Sequence, residues 1–315
     1  MSAASIDLGE AYRYCRRVNA RHGKTFYLAT ALLPASKRPP VHALYGFARH
    51  ADDIVDQSNP AGATSSAAGR TAALPIEVAP HVSAAGRLAA LRTDVDAALA
   101  GAPASHPVVR ALADTVHRFG IDRRYIADFL TSMEADLTVT RYPTFADLDR
   151  YMWGSASVIG LQLLPILGTT GDREMAERYA GRLGVAFQLT NFIRDVGEDY
   201  RRGRIYLPED SLAEHGVTPE MLSAPRAVPN VRRLVAAEID RARSFYRLAE
   251  PGIGLLSADA RDCVRTAFVL YGEILDEIER AGYDVLIRRA VVPRRRRLRV
   301  GVGGYLRAVR ARGQG

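Results

Sequence analysis

Residues 45–56 read Tyr45-Gly46-Phe47-Ala48-Arg49-His50-Ala51-Asp52-Asp53-Ile54-Val55-Asp56. Tyr45, Arg49, Asp52 and Asp56 follow one another at spacings of four, three and four. At ~100° per residue on an α-helix these four side chains fall within an arc of about 60°. Val41 and Leu44 lie on or beside the same stripe one turn earlier. An apolar helix face therefore continues, without turning, into an arginine and two carboxylates.

A second stretch repeats the arrangement. It reads Gln188-Leu189-Thr190-Asn191-Phe192-Ile193-Arg194-Asp195-Val196-Gly197-Glu198-Asp199. Gln188, Asn191, Asp195 and Asp199 fall within about 80° by the same arithmetic. Aspartates at i and i+4 are neighbours on a helix surface and repel mildly, so each pair calls for a counter-charge. A solvated acidic face held by ion pairs is the plain reading of either stretch alone. Two copies, both continuous with apolar stripes, favour a shared site. Carboxylate oxygens suit Mg²⁺, with Mn²⁺ as a substitute, and Mg²⁺ is usually completed by waters and substrate phosphates. Two facing pairs with a diphosphate between them point to ionisation of an allylic diphosphate. There, charge neutralisation makes a poor leaving group depart, and a dry pocket protects the cation.

Working outward, the pattern is helical nearly throughout and period-two alternation is scarce. Pro39 and Pro40 suit a first helical turn. Gly120 suits a helix end, and Asp122 the cap of the next helix. Thr144 to Asp147 forms a capping-box pattern with Asp in place of Glu. Asp172 opens a long segment to about Gly197, and another long helix is expected over 258–280. The apolar run from Val158 to Thr170, broken by Gln162 and Pro165, reads as a buried core helix. It is too short to span a bilayer. Glu134 and Asp136 are placed to pair with Arg141, or to line a cavity mouth. Residues 58–83, rich in Ala, Gly, Ser, Thr and Pro, read as a mobile loop, with a lid as the functional alternative.

Composition narrows the class. The chain has 315 residues, 48% hydrophobic and 25% charged, as a globular protein has. Cys15 and Cys263 support neither a disulfide framework nor a cysteine zinc site, and a reducing compartment follows. The seven histidines show no metal-ligand spacing, and no phosphate-binding glycine loop or serine nucleophile elbow is present. The N-terminus lacks the features of a signal peptide, which points to a cytoplasmic protein. Of the net charge of +8, the last 28 residues hold ten arginines and no acid, so the rest of the chain sums to −2. A frayed basic tail is one reading; attraction to an anionic membrane surface is the other. Nucleic acid is disfavoured, because no aromatic ladder accompanies the arginines.

At these residues the chain resembles the squalene/phytoene synthase family, and most its bacterial phytoene-forming members. The resemblance runs from about Tyr12 to Arg288. It rests on His22-Gly-Lys-Thr-Phe26-Tyr-Leu-Ala-Thr, the block ending at Asp56, Tyr151-Met-Trp-Gly-Ser-Ala-Ser-Val-Ile-Gly160, residues 188–199, and Arg202-Gly-Arg204-Ile-Tyr-Leu-Pro208. It implies an all-α, isoprenoid synthase-like single domain over residues 1–290 around a central cavity, followed by a basic tail, 291–315. It implies head-to-head joining of two geranylgeranyl diphosphates to phytoene through a cyclopropyl diphosphate, without NADPH. Within the same family, squalene or dehydrosqualene formation from farnesyl diphosphate is the alternative. A non-catalytic membrane-adaptor member is a further one, disfavoured by the intact aspartates. The resemblance makes Asp52, Asp56, Asp195 and Asp199 metal ligands, and places Tyr151 by the reacting carbons. It places Arg49, Arg194, Arg204 and Arg288 on the diphosphates, with Tyr45, Gln188, Asn191 and Tyr271 near them. His22 and Phe26 border the cavity. The extra length of 58–83 and the arginine-rich tail depart from the family pattern.

Overall fold

The computed structural model describes residues 7–56 and 82–312. Thirteen α-helices form there, and the only β pairings among the described residues are isolated bridges, such as Arg141 with Ile205. The first three are α1 (Leu8–His22), α2 (Lys24–Thr30) and α3 (Arg38–Asp56), with Pro39 and Pro40 in the first turn of α3. The loop expected over 58–83 lies outside the described residues except for Val82 and Ser83, and Ser83 caps α4 (Ala84–Leu99). Then come α5 (Pro107–Phe119), closed by Gly120 in the left-handed region, and α6 (Arg123–Ala135), capped by Asp122. The Thr144–Asp147 capping box opens α7 (Phe145–Met152). A π-helical turn at Trp153–Ser157 joins α7 to α8 (Val158–Leu167).

The second acidic stretch lies on α9 (Arg173–Arg201), whose N-cap is Asp172. It runs a turn beyond the expected end. The remaining helices are α10 (Glu209–Glu214), α11 (Pro229–Ala249), α12 (Ala258–Arg280) and α13 (Arg294–Arg312). The basic tail is thus not a frayed end over its described length. It is a helix packed on α12, with Arg296 paired to Glu273 at 2.6 Å and Arg307 to Asp262 at 2.9 Å.

Two apolar cores form. One joins α1, the α2 region, α3, α4, α5, α6 and α8 with the first turns of α9 and α12; the other joins α7, α11 and the later turns of α9 and α12 with the segments between them. Phe187 of α9 packs against both. The two acidic stripes belong one to each half, so they meet where the cores adjoin.

Candidate active site

α3 delivers Arg49, Asp52 and Asp56 on one stripe, and Asp53 one position off it. Arg49 is ion-paired to Asp53 one helical turn on. Burial drives the Asp52 carboxyl up to about 7; Arg49 opposes this, while Asp56 and Asp136 reinforce it. This stripe thus carries more negative charge than its own arginine offsets.

α9 delivers the second set. Asp195 is buried and takes paired hydrogen bonds from two guanidiniums: Arg194 at 2.8 and 2.7 Å, and Arg289 at 2.7 and 2.8 Å. Burial alone would raise its pKa, but these donors and their charges hold the carboxyl below its usual value. Asp199 lacks such a clamp, and burial with the charge of Asp195 pushes its carboxyl well up. Gly197 explains how Arg289 gets there. A Cβ at 197 would sit 2.1 Å from the Leu286 carbonyl oxygen, so only glycine lets the segment after α12 lie against α9. Arg201 holds the same carbonyl at 2.9 Å.

One arginine spans both stripes. Arg202 reaches Glu198 of α9 at 2.8 Å and Asp56 of α3 at 3.3 Å. Arg204 lies 3.9 Å from Asp56 and donates to the Asp136 carbonyl at 2.9 Å. Residues Arg204-Ile205-Tyr206 are extended, so the side chains of 204 and 206 share a side. Tyr206 and Tyr151 both donate to the Asp136 carboxylate, at 3.2 and 2.7 Å. Burial raises Asp136, against those hydrogen bonds and Arg204. Tyr151 is raised well above its usual value by burial and by Asp136. The rings of Tyr142, Tyr151, Phe192 and Tyr206 stack around this carboxylate, Phe192 and Tyr206 at 4.2 Å.

Beyond the charged groups lies an aromatic collar. Phe26 sits 6.0 Å from Tyr45 and 5.3 Å from Tyr271, and Phe187 stacks on Tyr271 at 4.5 Å. Burial pushes the Tyr271 phenol up to about 12. Phe26 and Phe187 also line an apolar cavity with Leu33, Leu163, Leu183 and Ala267. Its space is about 120 Å³, below the ~300–1,000 Å³ of a ligand-filled pocket. Lining side chains must part to admit a long chain.

His22, at the end of α1, is half-buried; burial first and then Arg49 lower its pKa. Gln188 and Asn191 are half-buried on α9, upstream of Asp195. Arg288 is exposed, and the guanidinium on the second stripe is that of its neighbour Arg289. The segment between α12 and α13 has no helical period, so spacing does not choose between adjacent arginines there. Asp136 is not paired with Arg141. Arg141 lies 3.7 Å from Glu209, and Glu134 pairs with Arg92 at 2.8 Å. Sequence reasoning also missed Arg202, Tyr206 and Arg289. Only the extended Arg204-Ile205-Tyr206 run carried a signal, placing Tyr206 beside Arg204.

No three His, Cys, Asp or Glu side chains converge on one point among the described residues. The donors come as aspartate pairs one turn apart. That suits an ion held by one or two carboxylates and completed by phosphate and water. Burial first, and like-charge crowding second, raise Asp52 and Asp199, and a bound cation would offset both.

The model of the squalene/phytoene synthase family matches residues 19–296. The chain belongs to that family. It is 39% identical over 295 residues to the phytoene synthase of Arthrospira platensis, covering 90% of this chain and 89% of that one. It is 37% identical over 307 residues to the 15-cis-phytoene synthase of Synechococcus elongatus, covering 94% and 93%. A crystal structure of a dehydrosqualene synthase with bound ligand superposes with a TM-score of 0.81 at 28% identity, covering 96% and 98%. The family match ends where α13 begins.

Proposed function

We propose that this chain is a phytoene-forming prenyltransferase, joining two geranylgeranyl diphosphates head to head with release of both diphosphates. One observation carries the reading: Arg202 bridges two acidic helix stripes, and Tyr45 on the first of them packs on Phe26, which lines an apolar cavity. The similarity to phytoene synthases over nine-tenths of the chain supports the C20 substrate.

Asp52 and Asp56 on one side, and Asp195 and Asp199 on the other, would hold Mg²⁺, or Mn²⁺ in its place. Bound there, the ion supplies charge neutralisation to the departing diphosphate. The chain's own groups do the rest. Arg49, Arg194, Arg204 and Arg289 trade carboxylate partners for diphosphate oxygens when substrate enters. Gln188, Asn191 and Tyr45 lie on the same faces and orient the diphosphates. Asp136 fixes the hydroxyls of Tyr151 and Tyr206, which would hold their rings in place beside the reacting carbons. Phe26, Phe187 and Tyr271 exclude water and offer aromatic faces to a carbocation. Phytoene formation ends in proton loss and needs no reductant.

The test is product analysis. Purified protein with geranylgeranyl diphosphate and Mg²⁺ should give a C40 hydrocarbon. Squalene or dehydrosqualene from farnesyl diphosphate, with no C40 product, would reject the substrate. That second reading has the dehydrosqualene synthase superposition behind it. No helix among the described residues is long and apolar enough to cross a membrane. We assign the chain to the cytoplasm with peripheral attachment to a membrane through its basic C-terminal segment, where lipid-soluble product leaves.

A further inference from the structure

α13 has an outward face unlike the surface around it. Leu298, Val302, Tyr305, Leu306 and Val309 are all exposed, Leu298 at 64% and Tyr305 at 57%. Their positions fall within about 100° of one another on a helix, so they form one solvent-facing apolar stripe. Arg294, Arg295 and Arg299 are exposed beside it, and α13 contains no acid. Large apolar side chains grouped on one exposed helix face mark an interaction surface.

The opposite face of α13 is small. Gly301 lies against Leu28, and Gly304 against Leu32 and Thr266. These neighbours belong to the α2 region and α12, whose other sides line the apolar cavity through Phe26, Ala29, Leu33, Cys263 and Ala267. α13 itself and the layer of α2 and α12 beneath it therefore lie between the exposed stripe and the cavity.

Beside α13 runs a groove of about 550 Å³, lined by Arg261, Asp262, Arg265, Thr266, Val300 and Arg307 among others. Its charged groups are three arginines and one aspartate, a surplus of two positive charges. Arg307 neutralises Asp262 at 2.9 Å. Arg265 is exposed and has no ion-pair partner among the described residues. Thr266 is fully buried, and its hydroxyl has no hydrogen-bond partner. That hydroxyl faces Gly304 of α13, so the anion-binding capacity of the groove rests on its surplus arginines and on the unpaired Arg265.

We propose that α13 is a membrane-docking helix, its stripe entering the headgroup region of an anionic bilayer while the Arg261/Arg265/Arg307 groove takes a phospholipid phosphate. This rests on the peripheral attachment proposed above and names the residues and the lipid chemistry. An apolar stripe with flanking arginines is the composition of an interfacial helix. Charge complementarity selects the anionic surface, because the segment from Arg288 onward carries ten arginines and no acid. Docking there holds the enzyme at the phase that contains prenyl chains.

The test is vesicle flotation of the full chain, with phosphatidylcholine alone and with about a third phosphatidylglycerol. Wild-type protein should partition at least about tenfold better to the anionic vesicles. The pair Leu298→Glu and Tyr305→Glu should lose about tenfold or more of that binding. The pair Arg261→Gln and Arg265→Gln should lose about fivefold per arginine, and only on anionic vesicles. All four side chains are at least partly exposed, so thermal melts should stay within a few degrees, which separates docking from folding. Inorganic phosphate, compared with chloride at equal ionic strength, should weaken flotation by no more than the arginine pair does, because the apolar stripe still holds the bilayer. Phosphate binding that the arginine pair abolishes, with flotation intact, would make the groove a small-anion site and overturn the lipid assignment. A dimer that Tyr305→Glu dissociates, with no change in flotation, would make the stripe a self-association face and overturn the proposal. Turnover of detergent-dispersed geranylgeranyl diphosphate is read in parallel. Its absence refutes the catalytic reading and leaves the docking result standing.

Discussion

The two acidic stripes are near copies in sequence, but their first aspartates, Asp52 and Asp195, are opposites in electrostatics. Both place aspartates four apart beside an arginine, and both continue an apolar helix face. Yet the Asp52 carboxyl is pushed up to about 7, while Asp195 is held below its usual value. The difference lies in what the rest of the chain brings. Arg49 spends its charge on Asp53, off the stripe. Arg194 turns onto Asp195 itself, and Arg289 arrives from 94 residues away to double the clamp. Identical spacing therefore yields one carboxylate that is costly to ionise and one that is hard to protonate. In the reading proposed here, the first is the more dependent on a bound cation.

The sharpest way to break this comparison is substitution at both stripes. Asp52→Asn and Asp195→Asn should each lower kcat by about 10³-fold, in an assay of C40 product. Their effects on stability should have opposite signs. Asp195→Asn leaves two guanidiniums with a poorer partner and should cost on the order of 2 kcal/mol by denaturant titration. Asp52→Asn removes a crowded carboxyl and should raise the melting temperature of metal-free protein at pH 8 by roughly 2–4 °C. Equal signs would show that the two stripes are electrostatically alike.

A second test uses the clamp. Arg289→Ala should reduce kcat/KM by on the order of 10- to 100-fold, while Arg288→Ala stays within about twofold of wild type. Gly197→Ala, which drives a Cβ into the Leu286 carbonyl, should resemble Arg289→Ala by displacing the segment that carries it. A wild-type Gly197→Ala enzyme would show that Arg289 reaches Asp195 by some other route.

The pH dependence of metal-free protein follows from the two directions. Asp52 is raised from its ordinary 3.8 to about 7, so the folded chain binds the extra proton between those values. Its contribution to stability is full below about pH 4 and is lost as pH rises through 7. Asp195 acts the other way: its contribution is present above its ordinary 3.8 and disappears as pH falls through its lower folded value. Thermal melts in a chelator should show the first slope shrink in Asp52→Asn, with Asp199 and Asp136 keeping the remainder, and the second vanish in Asp195→Asn. Added Mg²⁺ should flatten the first slope in the wild type.

The smallest expected effect belongs to Asp136. Tyr206→Phe removes the longer of its two phenol donors and should lower kcat by about threefold, and Tyr151→Phe by about tenfold. If the two variants were equal, Asp136 would hold the rings by packing rather than through its hydroxyl partners.

Much of the fold was legible because its signals are local. Caps at Asp122, Thr144 and Asp172, the left-handed Gly120 and the bounds of α12 depend on a few neighbouring residues. So does the arc that gathers Tyr45, Arg49, Asp52 and Asp56, since helical geometry alone fixes it. Sequence by itself settled which side chains share a face. It did not settle what each face meets. The π-turn after Tyr151, the shift from Arg288 to Arg289, the span of Arg202 and the two hydroxyls on Asp136 all join residues far apart in the chain or in segments without a period. The helical form of the tail, and the apolar stripe it turns outward, likewise depend on which side of α13 packs against α12. Spacing is a property of one helix, whereas a counter-charge or a buried partner belongs to the packing of several, and only the tertiary structure decides that.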